Sequence, residues 1–411
     1  MATDKTTYNG CMFFMDVLKA GLWNSKEWLG DNASVYEKNG FTPQWELMTE
    51  WARKQTVMGV FTHGAGYACG NLAMTANVKK KVMPYVMNGM KMHELLNSVC
   101  VLVSDALKKE GIDSVLLKGQ GLARVYDNPK LRQCGDIDIY VGEENYGKAC
   151  EVLEKIAVKI ENNGNAENHV SGEDFGNGDV KETGKKVIES EKHYHRNIRG
   201  VCIEIHRRAT VFGNRVHDAV FAGLERELLD RKRVTEYDLG NGTVNVPPAE
   251  FDALFVFIHA WSHFMSAGVG LRQVCDWTLY IHRFGKDLDA AILEKRLRSL
   301  DLLRAWRIFG CLAVKYLGLP QEECPLYSDR YERQAGIMFG MIWEEGNFGF
   351  HSNNFIKANG MKGMRRRFMS AKRILKRGRK TFLIDRRGCM DMMGFYIKHG
   401  ARLIVKDLVK L

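Results

Sequence analysis

The hydrophobic pattern of the first 110 residues is helical. Large apolar side chains recur every three or four positions, most clearly in a stripe from Leu95 to Leu107 that stops at Gly111. This spacing places the stripe on one face of a helix, and the glycine ends it. A patch of small residues, 63–66, interrupts the region and is predicted to form a loop.

The character of the chain changes at Ile112. The short apolar run 115–117 predicts a buried strand, and residues 118–121 (Lys-Gly-Gln-Gly) follow it before a helical pattern begins. Polar and apolar residues alternate with a period of two over 136–141, and a second segment of β type covers 201–206. Both alternations predict strands with one apolar face.

Between these strands the chain changes composition twice. A helix is predicted over 146–156, and the polar, Gly- and Asn-rich residues 161–190 predict an exposed insertion. Beyond residue 235 a hairpin is predicted to turn at 240–242, and helical spacing returns from residue 248.

These elements predict an α+β fold, in which a small mixed sheet is flanked by helical regions. The predicted regions are an N-terminal helical region (1–110), a core with its polar insertion (111–247), a C-terminal helical domain (248–345) and a basic amphipathic segment (346–411).

The charge of the chain is concentrated in one place. The 411 residues carry a net charge of +11. Residues 362–387 contain twelve Lys or Arg and one Asp, so the remainder holds 48 basic and 48 acidic residues. A neutral body argues against a long electropositive RNA track, and any polyanion partner would bind this segment.

The basic segment is predicted to be an amphipathic helix. Met364, Phe368, Ala371 and Leu375 share one face, which leaves Arg377 and the other cations on the remaining faces. An anionic membrane surface, a nucleic acid and a partner protein are all compatible with this pattern. So is a solvated helix that docks by its apolar stripe.

The cysteines and the N-terminus predict a cytoplasmic protein. The ten cysteines are scattered without a C-x-x-C pair, which is typical of unpaired thiols in a reducing compartment. The first residues lack the features of a secretory signal. The basic segment adds a peripheral position at the inner membrane surface as an option.

The strongest candidate chemistry is an acidic pair. Asp136 and Asp138 are two residues apart on a predicted strand, so both side chains leave the same face. Two neighbouring carboxylates repel each other unless a cation, a basic partner or a shared proton lies between them. Oxygen ligands of this kind favour Mg²⁺ or Mn²⁺.

Other residues extend this pattern. Glu204 is placed to supply a third carboxylate, which would suit a two-metal phosphoryl-transfer site, or it pairs with Arg207 or Arg208. The Lys118-Gly119 turn allows close approach of a phosphate, although Lys118 could equally end a strand in water. His206 shares the face of Glu204 and would contact phosphate or substrate, or be an ordinary strand histidine.

Taken together, segments 116–119, 136–139 and 203–206 resemble the bacterial nucleotidyltransferase-like family of the DNA polymerase β superfamily, as do Tyr126, Pro129, Arg132 and a later block around 259–277. The resemblance implies metal ligation by Asp136, Asp138 and Glu204. It also implies a phosphate-gripping turn at Gly119-Gln120, with Lys118, Arg132 and His206 near the nucleotide.

The function implied is Mg²⁺-dependent transfer of a nucleoside monophosphate from an NTP to an acceptor. The acceptor could be a small molecule, a sugar phosphate, a protein or a tRNA. The family has a small residue or a hydroxyl where this chain has Gln120, and the gap to Asp136 is longer. The alternative is therefore a catalytically degenerate scaffold or regulator in a surface-polysaccharide or toxin–antitoxin setting.

Overall fold

The structure, a computed structural model, describes residues 5–162, 193–212, 214–229, 233–347, 363–390 and 393. Most of the predicted insertion 161–190 and a large part of the segment 346–411 lie outside these residues. The chain divides into two compact units. Unit 1 comprises Met1–Val256 with Leu279–Leu288, and unit 2 comprises Phe257–Thr278 with Asp289–Leu411.

Helices dominate both units, and the strands are short. The helices are α1 (Lys5–Leu22), α2 (Glu27–Lys38), α3 (Trp45–Lys54), α4 (Met58–Ala65), α5 (Ala76–Lys109), α6 (Gly119–Ala123), α7 (Gly142–Asn162), α8 (Arg215–Leu228), α9 (Ala249–Ser266), α10 (Leu271–Phe284), α11 (Ala290–Ser299), α12 (Leu303–Leu317), α13 (Glu332–Glu345) and α14 (Gly363–Ile384). The strands are β1 (Val115–Leu117), β2 (Asp136–Tyr140), β3 (His193–Ile198), β4 (Val201–His206), β5 (Thr235–Asp238) and β6 (Thr243–Val246).

A four-stranded mixed sheet forms the centre of unit 1. Its strand order is β1-β2-β4-β3. Strand β2 runs antiparallel to β1 and parallel to β4, and β3 pairs antiparallel with β4. Helices together with a small mixed sheet are the α+β architecture that the sequence predicts. Strands β1, β2 and β4 were predicted, whereas β3 was missed because its polar residues follow a polar stretch.

One face of this sheet is apolar and buried. Ile137 and Ile139 of β2 and Ile203 and Ile205 of β4 are each at most 1% exposed. They belong to one core with the buried stripe of α5 and the inner face of α7. Because side chains alternate along a strand, the acidic residues between these isoleucines must leave from the opposite face.

The hairpin of β5 and β6 confirms the predicted turn. The two strands pair antiparallel, and the backbone N–H of Gly240 donates to the Asp238 carboxylate at 2.7 Å. Gly240 and Gly242 both have positive φ, +89° and +154°, which explains why glycine occupies these positions. Val244 and Val246 are buried and belong to the same core as the sheet.

The prediction of a loop at 63–66 is wrong, because these residues end helix α4. The glycines there serve helix packing. A Cβ on Gly64 would lie 1.9 Å from the Val17 carbonyl oxygen of α1, and a Cβ on Gly21 would lie 2.0 Å from the Val60 oxygen of α4. The backbones of α1 and α4 therefore approach so closely that only glycine fits.

Aromatic side chains form the centre of unit 2. The rings of Trp277 and Trp306 meet edge to face with centroids 5.0 Å apart. Phe257 packs against both rings, and Phe309 packs against Trp277 and Phe257. All four side chains are fully buried. Edge-to-face contact is the arrangement that aromatic quadrupoles favour.

The basic segment contains a helix, α14, as predicted, but its buried face differs from the prediction. Leu375, expected on the docked apolar stripe, is 59% exposed, whereas Arg377 is buried. Arg377 pairs with Glu345 and donates to the backbone carbonyl of Phe264, so an ionic contact anchors this face. The side chains of Met364, Phe368 and Ala371 lie outside the described residues.

Two further observations concern the thiols and the helices. All ten cysteines are free, which confirms that they form no disulfide framework. Within the described ranges, no helix has both the length and the apolar character needed to cross a membrane.

The α1–α4 contact generates a stability prediction. We expect Gly64→Ala to lower the free energy of unfolding by about 1–3 kcal/mol, because the added methyl group overpacks the crossing. Gly89→Ala, in α5 with no atom within 4 Å of the added Cβ, should instead raise it by about 0.5–1 kcal/mol, because alanine favours a helix over glycine. Urea unfolding of both variants measures the difference, and equal shifts would contradict the close crossing.

Candidate active site

The polar face of the four-stranded sheet brings the predicted acidic residues together. In the parallel pairing of β2 with β4, Asp138 lies opposite Glu204 and Asp136 lies opposite Cys202. Strand alternation places Asp136 and Asp138 on the same face. This register is a long-range feature, and it puts two carboxylates from separate strands side by side.

Asp138 is the buried centre of the group. It is 2% exposed, and its Oδ1 accepts hydrogen bonds from Lys118 Nζ at 2.8 Å and from His206 Nε2 at 2.9 Å. Burial raises the pKa of Asp138, but the Lys118 charge and the His206 ring outweigh burial and hold the pKa well below its usual range. The carboxylate is therefore ionised at neutral pH despite its burial.

The two partners of Asp138 respond in the opposite direction. Burial lowers the pKa of Lys118, but the charges of Asp138 and Asp136 outweigh burial and raise the pKa above its ordinary value. Burial likewise lowers the pKa of His206, and its hydrogen bonds to Asp138 and Glu204 raise it overall. Lys118 and His206 are therefore the basic partners that offset the repulsion between the neighbouring carboxylates.

Glu204 and His206 complete a compact donor group. His206 Nε2 lies 3.5 Å from Glu204 Oε2 as well as 2.9 Å from Asp138 Oδ1. One ligand atom from each of Asp138, Glu204 and His206 lies within 4.8 Å of the others. The carboxylates suit a hard divalent cation, and His206, whose Nε2–H donates to Asp138, fixes their positions. These residues fit a divalent metal ion.

Asp136 occupies the exposed start of β2. It is not part of that compact donor group among the described residues, and its role as a metal ligand stays a prediction. Its neighbour across the strands, Cys202, has a pKa raised to about 12 by burial and by the nearby carboxylates, so this thiol is neutral. The acidic face therefore runs from the exposed Asp136 to the buried Asp138.

The predicted glycine turn lies beside Asp136. β1 and β2 are antiparallel, with Leu117 opposite Asp138, so the turn after β1 reaches the start of β2. A Cβ on Gly119 would lie 3.3 Å from the Asp136 carbonyl oxygen, and Gly119 has a φ of +42°. Close approach and positive φ both favour glycine here.

Lys118 itself has an unusual backbone. Its φ of +50° lies in a region that residues with a Cβ rarely adopt. This conformation precedes α6 and accompanies the short contact between Lys118 Nζ and Asp138. Strained backbone of this kind persists only where surrounding contacts hold it, and it is concentrated at functional sites.

Gln120 faces away from the acidic residues. Its side chain is 1% exposed, and its amide nitrogen donates to Asn97 Oδ1 at 2.5 Å and to the His93 carbonyl oxygen at 3.2 Å, both in α5. Neither Asn97 nor His93 was predicted to lie near the glycine turn. Polar residues in or beside the apolar stripe of α5 indicate a buried polar contact, but they do not identify its partner.

Arg132 lies on the loop before β2. It is 6% exposed and donates to Cys134 Sγ at 2.8 Å. Burial, followed by the charges of Arg132 and Lys130, lowers the pKa of His93 to about 4, so His93 is neutral. The predicted contact of Arg132 with a nucleotide stays a prediction.

The Lys118–Asp138 pair generates a stability prediction. Lys118→Met should lower the free energy of unfolding by about 3 kcal/mol in EDTA, because it removes a cation from a buried carboxylate. Lys54→Met, which removes the partner of Glu50 in a largely exposed pair, should cost less than about 1 kcal/mol. Chemical denaturation compares the two variants. Equal losses would show that the Lys118 pair is no stronger than a surface pair.

Comparison with known proteins adds one finding. A family model described as uncharacterised nucleotidyltransferase matches residues 42–318, which is more than half of the 411 residues and includes the whole four-stranded sheet. No match is found among curated proteins or among solved structures. The acidic face and the glycine turn thus lie inside the matched region, and the chain belongs to this family of uncharacterised nucleotidyltransferases.

Proposed function

We propose that the protein transfers a nucleoside monophosphate from an NTP to an acceptor with the help of Mg²⁺ or Mn²⁺. The observation that carries this proposal is the register of β2 and β4. It sets Asp138 opposite Glu204, with Asp136 on the same face and the Gly119 turn adjoining it. Family membership supports nucleotidyl transfer as the reaction class.

The acidic residues have distinct roles in this proposal. Asp136 and Asp138 hold the metal ions, and Glu204 completes one ion's ligands and assists removal of the acceptor's proton. His206 contacts both Asp138 and Glu204 and so fixes their separation. Bound metal would supply charge neutralisation for the triphosphate and a lowered pKa for the attacking hydroxyl.

The turn after β1 holds the triphosphate in this proposal. The side chain of Gln120 points into the core, so it does not obstruct the turn. A phosphate there would meet the backbone amides at the start of α6 and the ammonium of Lys118. The departure of Gln120 from the family pattern is therefore compatible with phosphate binding by the backbone.

The class of acceptor is inferred only from the chemistry of nucleotidyl transfer. A hydroxyl or phosphate oxygen must approach the NTP in line with the leaving pyrophosphate. A small molecule, a sugar phosphate, a protein hydroxyl and a tRNA end each provide such an oxygen. The first assay therefore presents all four classes with each of the four NTPs.

The activity prediction uses the exposed acidic residue. With α-labelled NTP and Mg²⁺, we expect label transfer and pyrophosphate release that fall by on the order of 10²–10³-fold in Asp136→Asn, because one metal-binding charge is lost. Asp136 lies at the exposed start of β2, so this change perturbs folding less than a change at Asp138. Glu204→Gln should show a similar loss.

The matched control is Asp105→Asn, at an exposed position of α5, which should retain full activity. Label transfer that survives Asp136→Asn, Glu204→Gln and Asp138→Asn alike would overturn the proposed site.

A binding prediction separates an enzyme from the degenerate scaffold. A ligand that binds only the folded protein stabilises it, by about 2.7 kcal/mol at one hundred times its Kd. We expect Mn²⁺ with a non-hydrolysable NTP to raise the Tm of the wild type, and Asp136→Asn to reduce that rise. A Tm that responds to neither ligand in any combination would favour the scaffold.

A further inference from the structure

The outward face of α14 combines cations with large apolar side chains. Leu375, Phe382 and Leu383 are 59%, 41% and 59% exposed. The exposed cations between and beside them are Lys372, Lys376, Arg379, Arg386 and Arg387. At 3.6 residues per turn, the exposed positions between 372 and 383 fall within about 120° of the helix circumference.

The opposite face of α14 fixes this orientation. Arg377, Thr381 and Ile384 are buried, and Arg377 pairs with Glu345. The helix is therefore docked within unit 2 by a face other than the one that carries Leu375 and Phe382. In the described part of the chain, the docked helix keeps Leu375 and Phe382 exposed.

The outward face of α14 has no acidic residue of its own, although Arg387 beyond the helix pairs with Asp301 at 2.8 Å. The only acidic residue between 372 and 390 is Asp385, and it is 8% exposed. By contrast, α7 interleaves both signs of charge along its length. Lys372, Lys376 and Arg379 on this face, with Arg386 just after the helix, attract an anionic surface and repel a basic one.

Exposed apolar residues are concentrated here. Of the twelve large hydrophobic side chains that are exposed in the described part of the chain, four lie between 375 and 390, the fourth being Met390. Single exposed apolar residues need no explanation, but three of them on one face of α14, with Met390 shortly after the helix, mark an interaction surface.

A cavity of about 490 Å³ adjoins the end of this face. Its walls include Phe382, Leu383 and the guanidinium-bearing Arg304, Arg386 and Arg387, together with the Asp385 carboxylate. The Arg386 guanidinium lies 5.4 Å from the Phe382 ring centroid. Three guanidinium groups against one carboxylate give these walls a positive charge beside an apolar rim.

We propose that the outward face of α14 binds an anionic lipid surface, with its cations at the headgroups and Leu375, Phe382 and Leu383, followed by Met390 beyond the helix, inserted at the acyl boundary. Amphipathic helices rich in Lys and Arg bind membranes in this way. Single-stranded nucleic acid needs aromatic stacking platforms, and this face has one ring among three aliphatic side chains. The partner must attract the cations and also bury the apolar side chains, and an anionic bilayer does both.

The test measures vesicle binding by the full-length protein. We expect sedimentation with vesicles of phosphatidylcholine mixed with equimolar phosphatidylglycerol, weakened by salt, and no sedimentation with phosphatidylcholine alone. Each Lys or Arg near such a surface contributes about fivefold in affinity. Arg379→Gln with Arg386→Gln should therefore weaken binding about 25-fold.

The apolar contribution is tested separately. Phe382→Ser with Leu383→Ser should weaken binding roughly tenfold or more, because each buried apolar side chain favours insertion. The matched controls lie on α5, where Lys79→Gln with Lys80→Gln removes two exposed charges and Met83→Ser with Met87→Ser removes two exposed apolar side chains. Both controls should bind vesicles like the wild type.

Three outcomes would overturn the proposal. The first is an absence of sedimentation with the anionic vesicles. The second is a loss of binding in the charge variant with none in the apolar variant, which would indicate attraction to any polyanion. The third is tighter binding of bulk tRNA than of anionic vesicles at the same salt, lost in the same variants, which would identify a nucleic-acid surface instead.

Discussion

The candidate active site depends on the contacts that keep the buried Asp138 carboxylate ionised. Asp138 is almost wholly removed from water, and an isolated ionised carboxylate there would be very costly. Lys118 and His206 both contact its Oδ1 and offset that cost. Each partner comes from the end of a different neighbouring strand, so the contact exists only when β1, β2 and β4 pair in the observed order and register.

The same register separates the apolar core from the acidic face. Strand side chains alternate, so Ile137 and Ile139 enter the core while Asp136 and Asp138 leave it. A slip of one residue in β2 would bury both carboxylates among the isoleucines of β4. Burial of the isoleucines therefore disfavours other registers of the strands. The Lys118 backbone, with its φ of +50°, is held in this conformation by the packing of β1 and by the ion pair with Asp138.

Local patterns account for what could be predicted of this protein. Period-two alternation identified β2 and β4 and the common face of Asp136 and Asp138. The parallel pairing that sets Glu204 beside Asp138 joins residues 66 positions apart, so no local pattern encodes it. Gly64 was interpreted as a loop residue because the constraint that requires glycine there comes from another helix. A Cβ on Gly64 would lie 1.9 Å from the Val17 oxygen of α1. The burial of Gln120 against Asn97 is likewise a tertiary contact.

The excess positive charge of the chain and the acidic site belong to different units. The excess of basic residues falls within 362–387, in unit 2, whereas Asp136, Asp138 and Glu204 belong to unit 1. In the contacts described around those carboxylates, Lys118 lies on Asp138 and His206 lies on both Asp138 and Glu204. An incoming triphosphate would add negative charge to this group. In the proposed reaction, a divalent ion held by the acidic face would offset this added charge.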